Sequence, residues 1–473
     1  MNNFITIDEI ITATNGRIIS KVNDHFISVG TDTRKSLQGQ LFIALKGETH
    51  DAHEYIDQAV QAGASGLLIH RWNEKFSHLK SDITIIQVED TLLALQTLGH
   101  LRRKQWGKPL IAVTGSNGKT TTKEFMAQIL SLYKKVHFNQ GSFNNHWGLP
   151  LTLLGLKPEH EIAICEMGMN HPGEITALVT LSEPNIVGVT TVGRAHLEGL
   201  GSISLVAKAK AEIYKLNESS FIEKRIFNFD NEWTKAMYET LSLREKDLAI
   251  TFSSKNQSCD VQLKVDNLTL EGLDISGTIK SCKGSVHIPV FGKQNIENLM
   301  FAACAALAAG LSPEQIWKAF PNCKTIWGRN QRLIHSSGAE FLFDGYNANP
   351  DSQKALLENL LLLKTTKPLI GIFGEMKELG EKSAELHEEL GSLVASVPFQ
   401  EIFFVGNYSN HFKSGFEKSL NKDCAHIPIH SFIEINETLI SQLRDLLNTQ
   451  PLVTIKGSRG VGLEKILKSL SLL

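Results

Sequence analysis

The run LIAVTGSNGKTTTKEFMAQIL, residues 110–130, constrains the fold more than any other part of the chain. A four-residue apolar run leads into a glycine-rich turn. A segment follows whose apolar residues Phe125, Met126, Ile129, Leu130 and Tyr133 share one face of a 3.6-residue helix. A buried strand that turns on glycines into a helix directs backbone N–H groups at an anion, because the first turn of a helix leaves its donors unfilled. Lys119 is placed to reach the β- and γ-phosphates of a nucleotide, and the Thr120 hydroxyl to ligate Mg²⁺. A bare Gly-Lys-Thr triplet also occurs in exposed turns; the strand before it and the amphipathic helix after it are the context a phosphate loop requires. The spacing is shortened. A G-x-x-x-x-G-K-[ST] loop ending at Gly118 needs glycine at position 113, where Val113 stands, and the other glycine is Gly115.

The 473 residues, at about 150 per domain, suggest about three domains. With 42% hydrophobic and 21% charged residues, disordered and fibrous classes are excluded. Lys plus Arg is 48 and Asp plus Glu is 50, a net charge of −2, which provides no global field for nucleic acid or an anionic membrane. Residues 1–107 form a first block that closes on a helical stretch over 91–106. Gly107-Lys108-Pro109 breaks that helix, since proline donates no backbone hydrogen bond and disfavours helix in the residue before it.

A second block, 108–324, alternates the apolar runs LIAV, IAIC and NIVGV with helices, the pattern of a parallel sheet covered on both faces. A polar alternating stretch over 261–289 reads as a small antiparallel excursion. The run 299–311, rich in alanine and short of the roughly 20 residues a spanning helix needs, reads as a buried helix. A third block, 325–473, repeats the logic with EFLFD, PLIGIFG, EIFFVG and PLVTIKG as strands, a second open α/β domain. Six scattered cysteines without a CxxC pair, and an N-terminus without the features of a signal peptide, suggest a reduced cytoplasmic protein.

Candidate metal ligands cluster downstream of the loop. Glu166 ends the strand IAIC, where a carboxylate can hold a nucleotide's magnesium directly or through water. His196 follows the next strand at the same sheet edge. In the helix over 202–215, 100° per residue puts Lys210 on the stripe of Ile203, Val206, Ala207, Ile213 and Tyr214, facing inward. Lys208 falls on another face with Ser204 and Glu212, where a surface ion pair is expected. An inward lysine near phosphates can neutralise charge. Burial also lowers its basicity, and a neutral amine can take up CO₂ to become a carbamate able to ligate magnesium.

The strings AICEMGMNHPGEI, GRAHLEGLGSISLVAKAKAEIY, FDGYNANPDS and KGSRGVGLE, with the shortened loop, resemble the Mur ligases over essentially the whole chain. YNANP and AHLEG are similar to the branch whose members join D-alanyl-D-alanine to UDP-N-acetylmuramoyl-tripeptide. The resemblance implies an α/β, three-domain Mur ligase architecture: a domain holding the uridine nucleotide, a central P-loop ATPase domain on a mostly parallel sheet, and a C-terminal Rossmann-like domain. It implies that Gly115, Ser116, Asn117, Gly118, Lys119, Thr120 and Thr121 cradle ATP, with Thr120 and Glu166 near Mg²⁺. His196 matches the family's histidine metal ligand, and Lys210, fourteen residues on, its carbamylated lysine. Asn295 and Asn298 match adenine-side asparagines, Asn295 serving also as a helix N-cap, while Gln294 stands where the family usually has histidine. Asp32, Thr33, Arg34 and the Lys46-Gly47 turn match the uridine segment, and Asn144 and Asn145 a segment that meets the muramoyl peptide. Arg329, Asp344, Tyr346, Asn347 and Asn349 match residues that meet ATP or line the closing cleft.

The implied activity is an ATP-dependent ligation through an acyl phosphate, with UDP-N-acetylmuramoyl-tripeptide and D-alanyl-D-alanine as partners, neither nucleic acid nor membrane, and a monomeric chain. Three alternatives stay open. The chain could be another ligase of the superfamily, either a neighbouring Mur enzyme or one akin to folylpolyglutamate synthetase. It could be a P-loop kinase, which leaves Lys210 unexplained. It could also be a non-catalytic nucleotide binder, in which several of Lys119, Thr120, Glu166, His196 and Lys210 could have been lost.

Overall fold

The computed structural model describes residues 5–139, 141, 143–195, 197–215, 222–420 and 427–473. Its largest sheet has nine strands. From one edge they are Val136–Phe138, Ile162–Glu166, Leu110–Thr114, Ile186–Val189, Lys224–Asn228, Ala249–Phe252, Val261–Leu268, Leu273–Ile279 and Cys282–Ile288. The first seven run parallel, Leu273–Ile279 runs antiparallel to them, and Cys282–Ile288 turns back antiparallel to Leu273–Ile279. The antiparallel stretch expected over 261–289 is therefore an extension of the main sheet, joined through the pairing of Phe252 with Val261.

Alternation along the phosphate-loop strand explains why its sequence is apolar throughout. Ile111 and Val113 pack with Phe125, Met126 and Leu299, from the helices Lys119–Ser131 and Asn295–Ala308. Leu110 and Ala112 pack on the other face with Leu149, Leu178 and Val206, from the helices Gly148–Leu154, Glu174–Ser182 and Ile203–Ala211. Both faces are covered, so both sets of side chains must be apolar. This strand lies between Ile162–Glu166 and Ile186–Val189. The chain thus leaves it in opposite directions across the sheet, and the crevice of an open α/β sheet forms where the order reverses.

The N-terminal sheet has five strands, ordered Arg17–Ser20, Thr84–Gln87, Gly66–Ile69, Leu41–Ile43 and Val29–Gly30, beside a two-stranded pair of Ile5–Thr6 with His25–Phe26. The helix Thr91–Trp106 starts at the Asp90 cap and stops where Gly107 turns left-handed at φ 64°. It packs against the central domain's helices through Arg103, which donates to the Ser182 and Glu183 carbonyls at 2.7 and 2.9 Å.

The C-terminal sheet has six strands, ordered Gln331–Ile334, Glu340–Asp344, Leu452–Lys456, Leu369–Gly374, Glu401–Val405 and Ile429–Phe432, all parallel except the first. Among the described residues no helix is long and apolar enough to cross a membrane.

Candidate active site

The phosphate loop owes its shape to two glycines. Gly115 has φ 154°, and a Cβ there would sit 1.9 Å from Thr190 Oγ1; Gly118 has φ 81°, and a Cβ would sit 2.2 Å from Asn298 Oδ1. The neighbouring strand's loop grips the turn: Ser116 N–H donates to Thr191 O at 2.8 Å and the Thr190 hydroxyl to Asn117 O at 2.5 Å. The helix Lys119–Ser131 begins without a side-chain cap, so its first N–H groups remain available to an anion. Lys119 Nζ donates to Gly115 O at 2.7 Å. Burial lowers its pKa; Glu166 opposes the shift, Arg329 adds to it and Glu378 opposes it.

The loop forms the floor of a 600 Å³ cleft with Asn144, Asn145 and Glu166, and Arg329, Tyr346, Asn347, Asn349, Lys377, Glu378 and Arg459 form the opposite wall. A 310 Å³ cavity continues past Gly118 to Asn295, Asn298, Asp344 and Lys456. The third domain is tied down over both. Asn349 donates to Asn117 Oδ1 at 2.7 Å, and Arg194 pairs with Asp351 and Glu389, each at 2.9 Å. Farther along, Asn359 donates to Gln294 Oε1 at 2.7 Å. Arg329 lies 4.4 Å over the Tyr346 ring, and Asp344 forms a buried 2.5 Å ion pair with Lys456, whose pKa burial lowers against the pull of Asp344.

Glu166 is 1% exposed at the end of its strand. Its N–H donates to Asn139 Oδ1 at 3.0 Å, its Oε1 accepts from Asn144 at 2.7 Å, and its Oε2 has no hydrogen-bond partner among the described residues. Lys210 is fully buried, and its Nζ likewise finds no hydrogen-bond partner among the described residues. Burial first, then the nearby Lys119, push its pKa far below the ordinary lysine value. Two buried polar atoms without partners among the described residues, an acidic oxygen and an amine that the charge of Lys119 reaches, fit a site that takes up cations and an anionic ligand together. His196 lies outside the described residues, and the described residues contain no cluster of three metal-ligating types.

Lys210 points inward and Lys208 is exposed, as the helix arithmetic requires. The expected Lys208–Glu212 surface pair does not form its half at Glu212. That side chain is 7% exposed and accepts from Gly173 N–H at 2.8 Å and Thr176 N–H at 3.0 Å, donors left open at the start of the helix Glu174–Ser182. Asn295 is not an N-cap either. It is the first residue of its helix, following Gln294, and its amide donates to Phe291 O at 2.8 Å while its Oδ1 accepts from Asn298 at 3.0 Å.

The uridine-segment residues lie apart from this cleft. Arg34 forks onto Asp32 at 2.8 and 2.9 Å, and this hydrogen-bonded pairing lowers the Asp32 carboxyl to about 2. The Thr33 hydroxyl meets Gln58 at 3.5 Å. The backbones of Lys46 and Asp51 form an isolated antiparallel β-bridge and Gly47 N–H donates to His50 O at 2.8 Å, a turn that brings Gly47 against Trp147. Asn145 Oδ1 accepts from Trp147 and Gly148 N–H at 3.2 and 3.0 Å, fixing the loop before the helix Gly148–Leu154. Sequence reasoning missed Asn139, Arg194 and Asp351. Only the hydrogen bonds of the folded chain single them out, because their partners are 27 to 195 residues away.

An anion-ready helix start at the reversal point of a mostly parallel sheet places the protein among the P-loop nucleotide binders. Residues 113–306 match the Mur ligase middle domain, and residues 328–459 the Mur ligase, glutamate ligase domain. The UDP-N-acetylmuramoyl-tripeptide–D-alanyl-D-alanine ligase of Bacillus subtilis is 34% identical over 93% of this chain and 92% of its own. Among solved structures, MurF from Acinetobacter baumannii superposes with a TM-score of 0.85 at 29% identity over 99% of this chain and 98% of that one. MurF from Thermotoga maritima in complex with ADP gives 0.75 at 25% identity over 94% and 96%. The chain belongs to the Mur ligase family.

Proposed function

We propose that this protein is an ATP-dependent ligase that joins D-alanyl-D-alanine to UDP-N-acetylmuramoyl-tripeptide in cytoplasmic peptidoglycan precursor synthesis, releasing ADP and phosphate. The observation that carries the reading is the single cleft in which an anion-ready phosphate loop faces a third-domain wall bearing Arg329, Lys377 and Arg459. The relatives' reaction joins a carboxylate to an amine, and it needs a triphosphate on one side of such a cleft and an amine donor on the other. Functional boundaries fall at 107/108 and 324/325, and the chain acts as a monomer.

ATP is a substrate here. Gly115, Ser116, Asn117, Gly118, Lys119, Thr120 and Thr121 hold its phosphates, Asn295 and Asn298 face its adenine end, and Arg329 and Asp344 meet it from the third domain. Thr120, Glu166, His196 and a carbamylated Lys210 hold Mg²⁺, which supplies positive charge to the transferring phosphoryl group. The pocket suits a carbamate because burial lowers the basicity of the Lys210 amine and so favours the neutral form that is nucleophilic toward CO₂.

Asp32, Thr33, Arg34, Lys46 and Gly47 bind the uridine end of the acceptor, and Asn144 and Asn145 its peptide. Tyr346, Asn347 and Asn349 close over the reacting end. The acceptor's terminal carboxylate attacks the γ-phosphate to give an acyl phosphate, and the dipeptide amine then displaces phosphate. Lys119 neutralises charge as the phosphoryl group moves, the part of the barrier that fixed electrostatics lowers most. The Asn117–Asn349 and Arg194–Asp351 contacts hold the cleft shut, excluding water that would hydrolyse the acyl phosphate.

The test is ADP release measured with ATP and UDP-N-acetylmuramoyl-tripeptide, with and without D-alanyl-D-alanine. The expected result is turnover that requires both partners, with an amide product identified by mass. Turnover with single amino acids, or with folate and glutamate instead, overturns the reading in favour of another ligase of the superfamily. A stable phosphorylated product without amide overturns it in favour of a kinase.

A further inference from the structure

Among the described residues lining the cleft, one carboxylate comes from the third domain, Glu378. We propose that Glu378 receives the ammonium of the incoming dipeptide and takes its proton as the amide forms, a catalytic role that rests on the ligase reading above.

The segment carrying Glu378 is braced on both sides. Glu375 N–H donates to Val405 O at 2.9 Å, Met376 N–H to His387 Nε2 at 2.9 Å, and Lys377 N–H to Ser458 Oγ at 2.9 Å. The Glu375 carboxylate accepts from Asn407 N–H at 2.7 Å and pairs with the Lys377 ammonium. His387 is fully buried and stacked on Tyr408, and Leu379 is buried immediately beyond. Between these anchors Glu378 is exposed in the cleft with φ 64°, a left-handed conformation that glycine adopts freely and glutamate does not. The fold therefore imposes the conformation and with it the direction of the side chain, as at functional positions where the surroundings over-determine an unfavoured backbone.

Location and charge select Glu378 over the other acids of the cleft. Glu166 is buried at the floor with one oxygen held by Asn144. Glu174 comes from the central domain, which also carries the phosphate loop, and not from the third domain. Glu378 lies on the wall opposite the phosphate loop, near enough for its charge to act on Lys119. The remaining charges the third domain gives the cleft are cations, Arg329, Lys377 and Arg459. They suit phosphate and the dipeptide's carboxylate, and a dipeptide that carries both charges needs an acid at its other end.

The chemistry requires such a group, because an ammonium has no lone pair. The Glu378 carboxylate takes one proton, and the freed nitrogen lone pair forms the C–N bond to the acyl carbon. The C–O bond to phosphorus's oxygen breaks, its electrons leaving with phosphate. The second proton shed by nitrogen goes to the departing phosphate, and Glu378 returns its own proton to solvent.

Hydroxylamine separates this role from a structural one. It is already a neutral nucleophile near neutral pH and traps an acyl phosphate as a hydroxamate without a base to deprotonate it. In Glu378→Gln, kcat/KM for D-alanyl-D-alanine is expected to fall by at least about 100-fold while hydroxamate formation stays within about threefold of wild type. Glu378→Asp, which keeps the carboxylate on a shorter arm, is expected to lie between. Parallel loss of amide and hydroxamate in both variants, or unchanged amide formation, overturns the role of Glu378 and leaves the ligase reading in place. A wild-type protein that makes neither product overturns the ligase reading and this role with it.

Discussion

Replacing Lys210 with methionine is expected to stabilise the metal-free protein while abolishing ligation. The Lys210 side chain is fully buried, and its amine has no hydrogen-bond partner among the described residues. A buried polar group left unsatisfied costs about 1–3 kcal/mol, and methionine fills a similar volume without one. The pH-independent part of the gain in Lys210→Met is therefore about 1–3 kcal/mol, with roughly 2–4 °C in melting temperature for each kcal/mol in a domain of this size.

The sign with pH follows from the lowered basicity, which burial causes and Lys119 increases. Between the folded-state pKa and the unfolded value of about 10.4, the unfolded chain holds the extra proton. Wild-type stability thus rises with pH across that window, by up to about 1.4 kcal/mol per unit, and the variant lacks this contribution. The variant's advantage should shrink from about pH 7 to about pH 9.5. Urea unfolding in EDTA at the two pH values, followed by tryptophan fluorescence, measures it. Bicarbonate with magnesium should also narrow the gap, by giving the wild-type lysine the partners it lacks. A variant less stable than wild type at neutral pH, or a gap that widens with pH, refutes the reasoning.

Gly115→Ala places a methyl 1.9 Å from Thr190 Oγ1 on a backbone that alanine avoids, so the loop must move. We expect the KM for ATP to rise at least about tenfold and stability to fall by about 1–3 kcal/mol, measured by steady-state kinetics and urea unfolding. Arg194→Ala removes two partly exposed ion pairs that hold the third domain against the central one. Pairs of that kind contribute about 0–1 kcal/mol each, so melting changes little. Small-angle scattering should nevertheless show a larger radius of gyration, and the KM for the dipeptide should rise.

The parts of this protein legible in its sequence are those whose causes are local. The strand, glycine turn and helix of the phosphate loop need only neighbouring residues, and the inward course of Lys210 against the outward course of Lys208 follows from 100° per residue. Glu212 escaped the same arithmetic because what drew it inward was a pair of open N–H donors on another helix. Edge strands such as Gln331–Ile334 and Ile429–Phe432 were missed because every residue in them is at least partly exposed, so neither carries a buried apolar face. The main sheet's extension through Val261 was missed for another reason, since a single pairing joins the two parts. Glu166, with one oxygen held and one left over, is visible as a strand-end acid in the sequence. What holds it, Asn139 and Asn144, is visible only in the fold.

In ligation through an acyl phosphate, the acceptor's own carboxylate oxygen leaves on phosphate. Labelling that carboxylate with ¹⁸O and analysing the phosphate released during ligation tests it most directly. Each phosphate is expected to carry one labelled oxygen for every amide formed. Unlabelled phosphate accompanying amide formation would contradict the acyl-phosphate account.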